Sequence, residues 1–311
     1  MSEIFNWLKH AELEKRKISS DPPPLPSIPL PKGTNGGATD PLPIDSSIPD
    51  FDYSHPPEPE PVARDYAPHH IETHSTTALN LNLADYRVKD VWDPVTLVGE
   101  QFRLLRTKLA SMQKQRGIKI LLVTSAVPAE GKTLVACGLA GVLAQQPGKR
   151  VLLIDGDLRK PMAAQDLGIN DSTDRQGFSD VLGGKTEAME LVLSSTEANL
   201  FFLPAGKKPD NPAELLSSSL LAYTLKQFSD SFDWIVIDSP PAAALADSSI
   251  MAPLCDALVL VVHSSHTSSE IIKESIERLG REKICGVILN RSNHIKASRY
   301  YYSYYYKHAR Q

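Results

Sequence analysis

The sequence predicts an α/β fold, a doubly wound and mostly parallel sheet with a phosphate-binding loop of deviant Walker type. Three observations predict it. From Val95 onward, short and nearly continuous runs of Val, Ile and Leu alternate with helical segments, the pattern of strands covered on both faces. One run opens directly into Ser125-Ala-Val-Pro-Ala-Glu-Gly-Lys-Thr133, where glycine, lysine and threonine stand between a strand and a helix as phosphate cradles require. Two more runs, Val151-Leu-Leu-Ile-Asp155 and Trp234-Ile-Val-Ile-Asp238, end in aspartate, and open α/β sheets bind ligands at such strand ends.

Taken in chain order, residues 1–17 place Ile4, Trp7, Leu8 and Ala11 on one side of a helix. A helix this short is marginal alone, so a frayed, solvated terminus is the competing reading. Residues 18–92 form a Pro-rich tether: 14 of the 24 prolines fall between Pro22 and Pro68, with too few clustered apolar residues to offset the entropy of ordering. The folded domain is expected over residues 93–293 and a Tyr-rich tail over 294–311. Strands are expected at Ile118 to Thr124, Arg150 to Ile154, Leu200 to Leu203, Trp234 to Ile237, Ala257 to Val262 and Ile284 to Leu289. Helices are expected at Thr133 to Ala144, Pro212 to Leu216, Leu220 to Ser229 and Ser268 to Leu279.

Composition narrows the function classes. A net charge of −4 and a pI near 6.1 give no global pull toward nucleic acid or anionic lipid. Cys137, Cys255 and Cys285 are an odd, widely spaced set in apolar segments, which fits reduced thiols better than disulfides. No run approaches the roughly 18 apolar residues of a membrane span, and residues 1–17 lack the apolar centre of a secretion signal. A cytoplasmic protein is expected.

Within the phosphate loop, Gly131 allows the tight turn, Lys132 can reach the β- and γ-phosphates of a nucleotide, and Thr133 can offer a hydroxyl to Mg²⁺. Backbone N–H groups from Ala129, Glu130 and Gly131 into the helix start at Leu134 complete the expected cradle. The loop departs from G-x-x-x-x-G-K-[ST] because Ala126 stands where the first glycine belongs. Asp155, Asp157 and Arg159 after the second strand could alone be a capped turn. Joined to the loop and to Asp238, which ends its strand as a Walker B aspartate does, they point to a nucleoside triphosphate.

Here the pattern resembles bacterial tyrosine autokinases (BY-kinases). Ala126 to Thr133 looks like their P-loop, Leu152 to Arg159 their Walker A′ element and Ile235 to Pro241 their Walker B element. Glu100-Gln-Phe-Arg103-Leu-Leu-Arg106 matches their E-x-x-R-x-x-R self-association motif. Asn211-Pro-Ala-Glu-Leu-Leu216 and Gly286-Val-Ile-Leu-Asn290-Arg291 look like further landmarks, so the likeness runs from Val95 to the C-terminus. It implies ATP and Mg²⁺ as cofactors, with Lys132 neutralising phosphate charge and Thr133, Asp157 and Asp238 holding the metal. It also implies that Asp155 orients or deprotonates the incoming tyrosine, Arg159 supports the phosphates or the second carboxylate, and Asn290 with Arg291 lies at the nucleotide base. Where the family usually has Pro-Gly-Glu-Gly-Lys this chain has Ala129 as its second residue, which restricts a backbone conformation open to glycine.

Tyr300, Tyr301, Tyr302, Tyr304, Tyr305 and Tyr306 crowd seven positions beside Arg299, Lys307 and Arg310. Such a patch can stack on single-stranded nucleic acid, but behind an ATP site the resemblance implies phosphoacceptors and no nucleic-acid role. Glu100, Arg103 and Arg106 share one helical face, either as a solvated ion pair or, as the resemblance implies, as a contact that builds a homo-oligomeric ring. The same resemblance implies control of surface-polysaccharide export, a separate membrane-embedded chain-length regulator as activator, a tyrosine phosphatase, and a peripheral position at the inner membrane face. The histidines of His263-Ser-Ser-His266 and His69 to His74 lack the further ligands that would complete a metal site. Two rivals keep the fold. A positioning ATPase of the partitioning type needs an extra lysine where Val127 stands, and an inactive ATP-binding scaffold requires that Ala129 cripple transfer.

Overall fold

The computed structural model describes residues 78–79, 88–169, 175–195 and 199–292. The expected N-terminal helix, most of the Pro-rich tether and the tyrosine tail lie outside the described residues. Strands β1 (Ala78–Leu79), β2 (Ile120–Ser125), β3 (Val151–Asp155), β4 (Leu193–Ser195), β5 (Leu200–Leu203), β6 (Trp234–Asp238), β7 (Ala257–His263) and β8 (Ile284–Asn290) form one sheet, in the order β1-β4-β5-β3-β6-β2-β7-β8. All neighbours run parallel except β4 and β5. Helices α1 (Lys89–Trp92), α2 (Leu97–Arg116), α3 (Lys132–Ala144), α4 (Ala163–Asp166), α5 (Phe178–Leu182), α6 (Pro212–Leu216), α7 (Ser219–Ser231), α8 (Asp247–Met251) and α9 (Ser269–Leu279) connect them.

The runs of β2, β3, β6 and β7 are largely apolar because each of these strands feeds two cores. Leu121, Val123, Val151, Leu153, Trp234, Val236, Val259 and Val261 face one core with α3 and α2. Their alternates Leu122, Leu152, Ile154, Ile235, Ile237, Leu258 and Leu260 face the other, with α5, α7 and α9. This period-two division is what a doubly wound sheet imposes. All three cysteines are free, and burial pushes their thiols up, Cys255 to about 12, Cys285 to about 11 and Cys137 well above its ordinary value. They are inert packing residues. Among the described residues no helix is long and apolar enough to cross a membrane.

Ordered packing begins before Asp93, the expected start of the domain. Val88 and Val91 are buried in the core, and β1 pairs with β4, so part of the stretch read as tether belongs to the sheet and its cover. Helix α2 follows, started by the Thr96 hydroxyl, which accepts the Gly99 N–H at 3.0 Å.

Helix α3 carries no charge after Lys132 and is buried along nearly its whole length. It is held between the sheet and the α1–α2 layer. Trp92 donates its indole N–H to the Cys137 carbonyl at 3.3 Å and lies so close to α3 that a Cβ at Gly141 would sit 2.0 Å from the ring. Alanine is the better helix former by about 1 kcal/mol, yet overlap of this kind costs about 1–3 kcal/mol. Gly141→Ala is therefore expected to lower the thermal midpoint and shift Trp fluorescence to the red as Trp92 is displaced; an unchanged or raised midpoint would contradict this packing.

Candidate active site

The chain passes from β2 through α3 to β3 and leaves between them a place that β6 later fills. Three strand ends thus lie side by side where the order reverses, the position at which such sheets hold ligands. Register does the rest. Asp155 of β3 pairs with Asp238 of β6, and Val123 of β2 pairs with Asp238 from the other side. Two carboxylates are placed on adjacent strands, which in any sheet lie about 5 Å apart.

The loop after β2 is fixed by its own side chains. Ser125 Oγ donates to the Val127 carbonyl at 2.8 Å, and Glu130 Oε2 accepts the Val127 N–H at 2.8 Å. The other Glu130 oxygen accepts the His263 N–H at 2.9 Å and the Thr267 hydroxyl, tying the loop to the end of β7. Glu130 is only 1% exposed. Expected only as part of the cradle, it spends its carboxylate on the Val127 N–H and on the end of β7 and so braces the loop. Asn290, expected at the nucleotide base, donates Nδ2 to the Glu130 carbonyl at 2.7 Å and accepts the Arg291 N–H on Oδ1 at 2.9 Å. Gly131 makes room for it: φ is +92° and a Cβ would lie 2.3 Å from Asn290 Nδ2. Arg291 itself turns at φ +56°, and Leu134 packs against the core. Ala129 adopts φ +64°, the left-handed region that glycine enters freely.

At the first position of α3, Lys132 reaches across to the strand ends. Its Nζ lies 2.9 Å from Asp157 Oδ2, 3.7 Å from Asp238 Oδ1 and 3.3 Å from the Thr133 hydroxyl. Burial alone would lower the Lys132 pKa, but Asp238, Asp157 and Asp155 outweigh it and hold the ammonium above its ordinary range. Asp157 Oδ1 accepts the Lys160 N–H at 3.0 Å, closing the turn after β3. Asp155 Oδ2 accepts the Ala163 N–H at 3.0 Å, while Asp155 Oδ1 and both Asp238 oxygens are buried without a hydrogen-bond partner. Burial pushes the Asp238 carboxyl up to about 6, with Lys132 opposing. Burial, then the neighbouring Asp238, raises Asp155 well above the carboxylate range.

Arg159 does not face these carboxylates. Its Nε and Nη2 grip Asp247 Oδ2 and Oδ1 at 2.8 and 2.9 Å. Asp247, fully buried at the start of α8, is a site residue the sequence reading missed, because nothing in Asp247-Ser-Ser distinguishes a buried ion-pair partner from an ordinary helix start. On α2, Glu100 pairs with Arg103 of its own helix at 2.6 Å, and Arg106 donates to the Val142 carbonyl at 3.1 Å. Within this chain, two members of the expected self-association face thus meet each other and the third supports α3. Tyr300 to Tyr306 lie outside the described residues.

Among the described residues no group of three His, Cys, Asp or Glu is placed to hold a metal ion. The His263 and His266 rings lie 4.8 Å apart, tilted by 37°. The donor set of Thr133, Asp157 and Asp238 nonetheless fits Mg²⁺, which takes one or two carboxylates and completes its shell from phosphates and water. The buried Asp238 oxygens, which Lys132 approaches only to 3.7 Å, fit it as well, since buried carboxylate oxygens are ordinarily hydrogen-bonded.

Phosphate loop, strand-end carboxylates and doubly wound sheet define a P-loop, ATP-binding α/β protein. A family model described as an AAA domain matches residues 118–283. Tyrosine-protein kinase YwqD of Bacillus subtilis is 37% identical over 212 residues, covering 68% of this chain and 88% of that one. Among solved structures, the VpsO kinase domain is 35% identical at a TM-score of 0.55, covering 64% of this chain and 100% of that one. The chimerical protein CapA2B2 is 25% identical at a TM-score of 0.61, covering 70% and 93%. The chain belongs to the bacterial tyrosine-protein kinase family.

The loop geometry generates a first expectation. A left-handed alanine costs about 1 kcal/mol or slightly more, so Ala129→Gly should raise the thermal midpoint by a few degrees; a fall would show that the loop holds Ala129 without strain.

A second concerns pH. Asp238 has a folded value of about 6 against about 4 when unfolded, so the folded chain holds its proton more tightly. The corresponding stability is fully present below about pH 4 and is lost as pH rises through 6. Asp155→Asn removes one buried charge from this pair and keeps an acceptor for Ala163. In nucleotide- and metal-free protein its midpoint should exceed wild type above pH 6 and converge with it near pH 4; a gap that does not close in acid would assign the effect to packing.

Proposed function

We propose that this chain is a Mg²⁺-dependent tyrosine autokinase that transfers the γ-phosphoryl group of ATP to the C-terminal cluster of a neighbouring copy, with Tyr300, Tyr301, Tyr302, Tyr304, Tyr305 and Tyr306 as acceptors. The observation that carries this reading is the convergence of Lys132, Asp155, Asp157 and Asp238 at adjoining strand ends beside the loop. Phosphoryl transfer needs positioning and charge neutralisation above all, and these groups supply both. Lys132 meets the β- and γ-phosphates, which compete with Asp157 and Asp238 for its ammonium. Backbone N–H groups at the start of α3 take the remaining phosphate oxygens. Asp155, whose raised proton affinity suits a general base, orients the acceptor hydroxyl and takes its proton. When bound by Thr133, Asp157 and Asp238, Mg²⁺ neutralises charge on the phosphate oxygens.

The partners belong to the same reading. Glu100, Arg103 and Arg106 contribute to a homo-oligomeric ring that brings one tail to the next subunit's site. A separate membrane-embedded chain-length regulator activates the kinase and holds it at the inner membrane face, a tyrosine phosphatase resets the tail, and export of a surface polysaccharide is the process controlled. Family membership supports the kinase class, and the density of tail tyrosines supports the acceptor.

Lys132→Met keeps side-chain length and deletes the cation. Incubated with ATP and Mg²⁺ and mapped by mass spectrometry, wild type should carry phosphate on the tail and the variant should carry none. Unchanged phosphotyrosine in a folded Lys132→Met protein would sink the assignment, as would wild-type phosphate confined to residues outside the tail.

A further inference from the structure

Asp247 is a fully buried carboxylate, and the Arg159 fork occupies both of its oxygens. A buried carboxylate is expensive unless paired in this way, and removing Arg159 leaves Asp247 to bear that cost. Arg159 lies two residues beyond Asp157, inside the turn that the Lys160 N–H closes onto Asp157 Oδ1. The next residue of α8 holds the other strand end. Ser248 Oγ donates to the Pro240 carbonyl, lies 3.2 Å from Ser239 Oγ and 3.3 Å from Thr124 Oγ1. Two consecutive residues of one short helix therefore grip the turn after β3 and the turn after β6, the two segments that follow Asp155 and Asp238.

We propose that Asp247 is a positioning residue: through the Arg159 fork it fixes the turn bearing Asp157 against the strand end bearing Asp238, and so sets the spacing of the two carboxylates offered to a divalent cation. The proposal rests on the reading of Asp157 and Asp238 as cation ligands. Partners one step removed from a metal act in this manner, by orienting the ligands that touch it. The pair is bidentate and so fixes orientation as well as distance, which a lysine in place of Arg159 does not reproduce. The guanidinium is engaged with Asp247 and not aimed at the strand-end carboxylates, which is why Asp247 carries the assignment and Arg159 transmits it.

The test is Mn²⁺ binding to the ADP complex of the full chain, read from the free-ion electron paramagnetic resonance signal. Wild type, Asp247→Asn, Arg159→Lys and the double variant are compared, with Asp238→Asn as control and thermal midpoints alongside. Each single variant should weaken Mn²⁺ binding about 10-fold, the range seen for such outer partners, while leaving metal-free ADP affinity unchanged. The double variant should be no weaker than either single one, because both break the same tie. Arg159→Lys probes that tie from its exposed end should Asp247→Asn fail to fold. Mn²⁺ affinity within twofold of wild type in the folded single variants, with Asp238→Asn defective, would overturn the proposal. Loss in Arg159→Lys alone, together with weaker ADP binding, would overturn it in favour of a direct phosphate contact. If Asp238→Asn also binds Mn²⁺ normally, the ligand reading itself has failed.

Discussion

The rest of the site depends on one register, Asp155 of β3 beside Asp238 of β6. Parallel pairing of these strands forces two carboxylates together in a buried place, where each disfavours ionisation of the other. A fold that only had to be stable would avoid this. Lys132 is the local answer: delivered from the first position of α3, it meets Asp157 and Asp238 and stays charged because of them and Asp155. The phosphate loop must therefore bring α3 to one particular starting point. Its glycine, its inward-turned Glu130 and its clasp by Asn290 all serve that placement.

The same register explains why the helices sit where they do. A helix entering beside strand ends crowded with charge has to be otherwise apolar, and α3 is, with Trp92 and Phe102 packed over it. On the opposite side α8 is short and polar at its start, because it must meet the turns after β3 and β6 with Asp247 and Ser248. The sheet is thus packed by apolar contact along its length and by paired polar groups at both ends: Asp233 and Asp256 hold the amino ends of the strands, and the carboxyl ends carry the clustered charge of the site.

How much of this was legible varied with the range of the interaction. The continuous apolar runs revealed β2, β3, β5, β6, β7 and β8 to within a residue or two, since burial on both faces leaves a compositional mark on each strand. Helix α3 was legible from Thr133 onward for the same reason. Strands β1 and β4 were not, being two and three residues long with serines in β4, too short for periodicity to register. Helix α1 was hidden because Val88, Val91 and Trp92 are spaced across a single turn next to a Pro-rich stretch. Lys132, Asp155, Asp157 and Asp238 were legible because glycine, apolar runs and charge stand together in sequence. The Arg159–Asp247 pair was not, because its members are 88 residues apart and only the folded topology introduces them. Asn290 was assigned by resemblance to the nucleotide base, and its grip on the Glu130 carbonyl spans 160 residues.

That last separation has a consequence for how the protein is made. The phosphate loop emerges first, and the groups that hold it shut, His263, Thr267 and Asn290, emerge more than 130 residues later. A nascent chain that has completed β2 and α3 owns the lysine and the threonine, yet only the local contacts of Ser125 and Glu130 with Val127 brace the loop that presents them. Closure waits for β7 and β8, the last strands of the sheet. The order of translation thereby withholds a formed nucleotide cradle until the whole domain is available, so truncated chains ending before Asn290 lack the clasp that completes it.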